Sequence, residues 1–215
     1  MFEKSEELRR HIPSDKILDL SPSHLDYLRA VAFEDVLRQA GITEHIVIST
    51  HACFRWKKHL TPAFDFHYLD QLKPDLYLTV VDDCLRTKAV LDSKNEWRGR
   101  LSLRDTLVWR DEEIFLTKLM ADYQRKKHFL ISRRQPGRIL FDLMFRPEMR
   151  PIYLSYPMTH VKGDPTLVAK KKSFEKRLEK HFVVFDPDLF EDTDVASAVR
   201  RLPAGKNTCL LYTSD

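Results

Sequence analysis

The chain has only five glycines among its 215 residues. None stands in a GxxxxGK[ST] arrangement, so no segment present can wrap backbone N–H groups around a phosphate in that way. GxGxxG, GxSxG and HExxH are absent as well, which removes the usual dinucleotide loop, the hydrolase nucleophile elbow and the paired-histidine zinc helix. Three cysteines, Cys53, Cys84 and Cys209, form an odd set without CxxC spacing. They signal neither a disulfide framework nor a zinc site, and free thiols are the expectation. No apolar run approaches the roughly 18 to 20 residues of a membrane helix, and Met1 to Lys16 is too charged for a secretory leader. A cytoplasmic protein without a membrane partner is therefore expected. Charge of one sign is also lacking: 36 basic residues face 32 acidic ones, interspersed, for a net +4. This balance suits phosphate ligands and makes no call for nucleic acid; the runs Arg125–Lys127 and Lys170–Lys172 read as solvated helix faces.

What is present is an alternation of helical and strand patterns. After Ser21-Pro22-Ser23, Leu25, Leu28, Ala32 and Val36, with Tyr27 and Phe33, recur at helical spacing until Gly41. His45 to Thr50 is β-branched and nearly all apolar, which predicts a strand buried on both faces of a parallel sheet. A loop is expected over 51–65, a short helix over 66–72 ended by Pro74, a buried strand over 76–81 and a helix over 84–91. Ser93 to Leu103 reads as an exposed connection carrying Arg98-Gly99-Arg100. A long helix follows over 106–126, with Leu107, Ile114, Leu116, Leu119, Met120 and Tyr123 for its buried side. A strand over 129–132 and a helix over 138–145 come next. A proline-bearing linker over 146–151 then precedes a second rhythm: strand 152–155, helix 165–181 and strand 182–185. The order predicts an α/β fold with a three-layer parallel sheet flanked by helices, and the opening of a second, Rossmann-like α/β domain.

In open parallel sheets ligands sit beyond the carboxyl ends of the strands, which favours His51, Arg55, Asp82 and Asp83. Here IVISTHACFRW (Ile46 to Trp56), LKPDLYLTVVDD (Leu72 to Asp83) and an arginine-bearing connection followed by WRDEE (Trp109 to Glu113) resemble the archaeal-type adenylate kinases and related nucleoside monophosphate kinases. The resemblance covers roughly residues 1 to 135. It implies a P-loop kinase-like domain over 1–145, whose first strand and phosphate loop are expected upstream of Met1. It also implies ATP and Mg²⁺ as cofactors and a nucleotide partner. Arg55, with His51, matches the acceptor-binding position, and Arg98, Arg100 and Arg104 match lid arginines that neutralise the transferring phosphoryl group. Two departures are visible: Ser49 stands where the family usually has Asp, and Arg104-Asp105 is a reduced form of the lid pattern. Trp56, Trp97 and Trp109 are candidates for base stacking, with packing the preferred reading for Trp109. Asp111-Glu112-Glu113 reads as negative charge near a helix start.

Tyr153-Leu154-Ser155-Tyr156-Pro157, with Val183 to Pro187, resembles the start of nucleoside 2-deoxyribosyltransferase-like domains. The resemblance implies such a domain over 152–208, with Tyr153 and Pro157 on one wall of a nucleoside pocket. Glu175 and Glu179 read as solvated helix-face residues and not as that family's catalytic glutamate. Cys209 to Asp215 matches what one frame of a sequencing adapter would encode, so 209–215 is expected to be a non-native tail. The leading expectation is a piece of a nucleotide kinase-like protein that transfers a phosphoryl group from ATP to an AMP-like acceptor, inactive as it stands. The alternative is a non-catalytic nucleotide-binding or sensing module coupled to a nucleoside-processing domain. An RNA-binding role for the basic runs ranks third.

Overall fold

The computed structural model describes residues 20–56 and 59–190. The expected tail 209–215 and everything before residue 20 lie outside that set. Among the described residues the chain is mixed α/β, with seven α-helices and six short strands. The strands pair only in twos, β1 with β2, β3 with β4 and β5 with β6. The single three-layer sheet expected from the alternation is not seen among them. The chain divides into two compact units: one runs to Thr79 and resumes over Cys84–Phe129, and the other holds Val80–Asp83 and everything from Leu130. The division thus falls earlier than the expected linker over 146–151, where Met149 is buried and Arg150 already opens a strand.

In the first unit, α1 spans Pro22–Ala40, capped by the Ser21 side chain and ended by Gly41, as its flanks predict. Only Phe33 of its apolar stripe is buried, stacked on Tyr68, while Tyr27 stands 64% exposed. A correction follows. Residues 45–50 form no strand, and Ile46, Val47 and Ile48 are exposed. β-Branched composition favours a pleated, half-buried surface, but it cannot supply the neighbouring strand that makes one. The expected loop after it instead contains an antiparallel hairpin, β1 (Cys53–Trp56) and β2 (His59–Pro62), in the register Cys53 to Pro62 and Arg55 to Leu60. Four-residue strands with mixed polarity and a terminal proline give little periodicity to read.

α2 (Phe66–Leu72) is capped by Asp65 and closed by Lys73 in the left-handed region before Pro74. β3 (Leu76–Val81) and α3 (Cys84–Ser93) fall where the pattern predicts. α4 spans Leu103–Tyr123 and starts three residues early, at a reciprocal Ser102/Asp105 capping box. Its buried residues are Thr106, Trp109, Met120 and Ala121, whereas Leu119 and Tyr123 face outward. One core gathers Phe33, Ala52, Phe64, Leu69, Tyr77, Met120 and Ala121. A second gathers Cys53, Trp97 and Trp109, with Phe54, Leu91, Leu101 and Leu116 against it.

β4 (Lys127–Ser132) completes the pair with β3. In the second unit, α5 (Gly137–Phe145) and α7 (Pro165–Leu178) both pack on β6 (Phe182–Phe185). β6 pairs in parallel with β5 (Arg150–Tyr153) in the register Ile152 to Val184. A short helix, α6 (Met158–Lys162), unforeseen in the sequence, sits between β5 and α7. A parallel pair joined through helices is the βαβ arrangement that the second rhythm predicts.

One polar pairing links β3 to β4: Thr79 Oγ1 lies 2.8 Å from His128 Nε2. Burial, then the ammonium of Lys118, hold the His128 imidazole below its usual value of 6.5, with Asp122 pulling the other way. The unfolded chain therefore takes up this proton at a higher pH than the folded one. The stabilisation is complete above about pH 6.5 and is lost as pH falls through the depressed folded-state value. His128→Gln keeps a polar partner for Thr79 and removes the titration. Its melting temperature should drop less than that of the wild type between about pH 7.5 and about pH 5.5.

Candidate functional site

α4 carries a buried stripe through Thr106, Trp109, Leu116 and Met120, and Glu113 lies on that stripe by helical spacing. A carboxylate in such a place must be matched by donors, because an unmatched buried charge is far costlier than a buried hydroxyl. The donors come from the entry to β1. Glu113 Oε1 lies 2.8 Å from His51 Nδ1, and Glu113 Oε2 accepts the Ala52 N–H at 2.7 Å. One residue earlier, Glu112 accepts Arg55 Nε at 3.1 Å and Arg55 Nη2 at 2.7 Å, a two-bond grip on the guanidinium. Arg55 and Glu112 keep only 20% and 22% of their side-chain exposure, and His51 keeps 57%.

Aromatic rings brace this junction. Trp109 Nε1 donates to the Cys53 carbonyl at 2.9 Å, and the Trp109 indole stacks on His51 at 5.5 Å and on Trp97 at 5.3 Å. Both indoles are buried, so the packing reading holds for Trp109 and extends to Trp97; the Trp56 side chain lies outside the described set. Cys53 is fully buried, and burial, followed by the charges of Glu113 and Glu112, pushes its thiol up to about 12. It is a packing residue and no nucleophile.

Trp97 carries the site outward, because Arg98, Gly99 and Arg100 follow it directly on the exposed turn between α3 and α4. Asp92 at the end of α3 shapes that turn. Its Oδ1 accepts the Gly99 N–H at 3.1 Å, its Oδ2 accepts Lys88 Nζ at 2.6 Å, and its carbonyl accepts Arg98 Nε at 3.3 Å. The Lys88 and Gly99 hydrogen bonds hold the Asp92 carboxyl below the usual aspartate value. Gly99 has φ +67, a left-handed conformation that side chains rarely adopt, and this lets the two flanking arginines share one tight turn. Arg98, Arg100 and Arg104 are all exposed. His51 and Arg55, expected beyond the end of a strand over 45–50, instead precede and lie within β1, and the Trp97–Trp109–His51 stack ties His51 and the arginine turn to one core. Sequence reasoning missed Glu112 and Glu113. They read as charges near a helix start, whereas in a helix that begins at Leu103 they fall in its third turn, facing β1.

In the second unit the polar groups gather beyond the ends of β5 and β6, as a parallel pair predicts. Asp186, the first residue after β6, is 4% exposed. Its Oδ1 accepts Tyr156 Oη at 2.7 Å and the Asp188 N–H at 3.1 Å, and its Oδ2 is paired with Lys171. Lys171 also lies over the Tyr156 ring at 4.9 Å. Burial opposes both charges. The hydrogen bonds nonetheless hold Lys171 above the usual lysine value and Asp186 below the usual aspartate value, while burial pushes Tyr156 up to about 12. Lys171 is thus no part of a solvated run, although Lys170 and Lys172 are exposed. Of the residues expected to line a nucleoside wall, Tyr153 is 65% exposed at the end of β5 and Pro157 is exposed at the start of α6. Tyr156, which the sequence reading passed over, is the residue that reaches Asp186.

No protein-family model matches this chain, and no curated protein is detectably similar to it. No helix among the described residues is long and apolar enough to cross a membrane.

Glu113 is the hinge of the first site. Glu113→Ala strips the partners from His51 and from the Ala52 N–H, and should lower stability by about 2 to 3 kcal/mol in denaturant unfolding. Glu113→Gln, which keeps an acceptor oxygen, should recover at least half of that loss.

Proposed function

We propose that the first unit is a nucleotide-binding module that recognises a phosphate-bearing ligand through the Arg98-Gly99-Arg100 turn and Arg104, with Arg55 and His51 as a second anion-binding group. The observation that carries this is the turn itself: two exposed arginines on a short connection whose shape is fixed by Asp92 and a left-handed glycine, with a third, Arg104, exposed in the first turn of α4. Guanidinium groups present paired N–H donors that match phosphate oxygens, and a braced turn loses less freedom when the ligand arrives. The resemblance of this region to nucleoside monophosphate kinases supports a nucleotide as the source of the phosphate. The similarity of Tyr153 to Pro157 to nucleoside 2-deoxyribosyltransferase-like domains supports a coupled nucleoside-processing segment.

Phosphoryl transfer from ATP to an AMP-like acceptor is the second reading and would use the same residues. It would need ATP and Mg²⁺. Among the described residues no group of three or more His, Cys, Asp or Glu is arranged to hold a metal ion, so no step is assigned to one. Mg²⁺ is usually held by one or two carboxylates together with substrate phosphates, which leaves that role to the nucleotide complex. The grip of Glu112 on Arg55 favours binding over transfer, because transfer calls for an arginine free to follow the moving charge.

Calorimetric titration of the full chain with AMP, ADP and ATP tests the proposal. Saturable binding is expected, weakened by about tenfold or more in Arg98→Ala/Arg100→Ala, since each lost charge-assisted bond costs on the order of 1.5 kcal/mol. Binding that is unchanged in the double variant, or absent throughout, contradicts it.

A further inference from the structure

The second anion-binding group is already filled. Arg55 offers Nε and Nη2, the side-on pair of its guanidinium, and both reach the two oxygens of Glu112. A phosphate monoester presents a similar pair of oxygens to the same edge of a guanidinium, so Glu112 occupies the position such a ligand would take. Glu113 does the same for His51 Nδ1 and the Ala52 N–H. The two acids are not equivalent. Glu113 satisfies a backbone amide beside the fully buried Cys53, whereas among the described residues the Glu112 carboxylate accepts from the Arg55 side chain and from no backbone N–H. Glu112 can therefore leave without stranding a backbone donor, and Glu113 cannot.

We infer that Glu112 is a built-in competitor for the phosphate group of the nucleotide at Arg55, so that the free protein holds its second anion-binding group closed until a ligand displaces this carboxylate. The inference rests on the nucleotide reading above and adds its regulation. A ligand that engages only the arginine turn leaves the pair intact. A ligand that also reaches Arg55 must replace a two-bond ion pair with one at least as good, so affinity in the wild type falls below what the exposed arginines and Arg55 would give together. Neutralising Glu112 lifts that opposition.

AMP titrated calorimetrically into the full chain provides the test, with wild type, Glu112→Gln, Arg55→Ala and the double variant Arg55→Ala/Glu112→Gln compared at one salt concentration. Glu112→Gln should bind AMP about tenfold more tightly than the wild type, the effect of removing one opposing charge-assisted pair. Arg55→Ala should bind AMP no more tightly than the wild type and should abolish the gain in the double variant. Glu112→Asp, one carbon shorter with its charge kept, should show a smaller gain in the same direction and serves if Glu112→Gln does not fold. Wild-type binding without a gain in either Glu112 variant overturns the competition and leaves the nucleotide reading standing. A gain that survives Arg55→Ala overturns it too. No AMP binding by any variant overturns both.

Discussion

The first unit depends on two adjacent carboxylates on the inner side of one helix. Glu112 and Glu113 lie where α4 faces the entry to β1, and each is satisfied by a different kind of donor, a guanidinium edge and an imidazole–amide pair. Charges this sheltered fix geometry strongly, since either partner left alone would be a buried, unmatched group. Residues 51 to 55 are therefore pinned to the third turn of α4. Cys53 and Ala52 are then buried between them, and Trp109 is close enough to donate to the Cys53 carbonyl and to stack on His51. Trp97 packs on Trp109, and the arginine turn leaves from Trp97. The exposed chemistry of the turn is thus tied through two indoles to a part-buried ion-pair junction.

The second unit uses the same logic at a smaller scale. A buried carboxylate, Asp186, closes the carboxyl ends of a parallel pair, and Tyr156 from the turn after β5 and Lys171 from α7 satisfy it. The network ties β5, α7 and β6 together at the edge where a parallel pair leaves its crevice. Because both oxygens of Asp186 are already used, the network reads as a brace. Tyr153 and Pro157, nearby in sequence, are exposed.

Much of this was legible in the chain, and the misses have physical reasons. Ser21, Gly41 and Pro74 announced helix ends because capping and helix breaking are local effects. The β3 and β6 strands stood out as apolar runs of the right length. The segment 45–50 carried an equally good strand signal and formed none, because pairing is a property of two segments and only one was visible in the composition. The β1–β2 hairpin stayed hidden for the opposite reason: its strands are short and of mixed polarity, and Glu112 and Glu113 on a helix distant in sequence help to hold it. Glu112 and Glu113 read as charges near a helix start, and nothing in the local sequence shows that their partners, His51, Ala52 and Arg55, stand 57 to 62 residues earlier. Lys171 looked like one of three solvated lysines, since nothing in a basic run reveals which member turns inward to meet an aspartate fifteen residues on.

The central claim is that Arg55 and Glu112 form one coupled unit rather than two residues that merely lie close. A double-mutant cycle in denaturant unfolding, comparing wild type, Arg55→Ala, Glu112→Ala and the double variant, measures this directly. The account predicts a coupling free energy of about 1 to 3 kcal/mol, as expected for a half-buried, doubly hydrogen-bonded charged pair. Additive losses, with a coupling near zero, would contradict it.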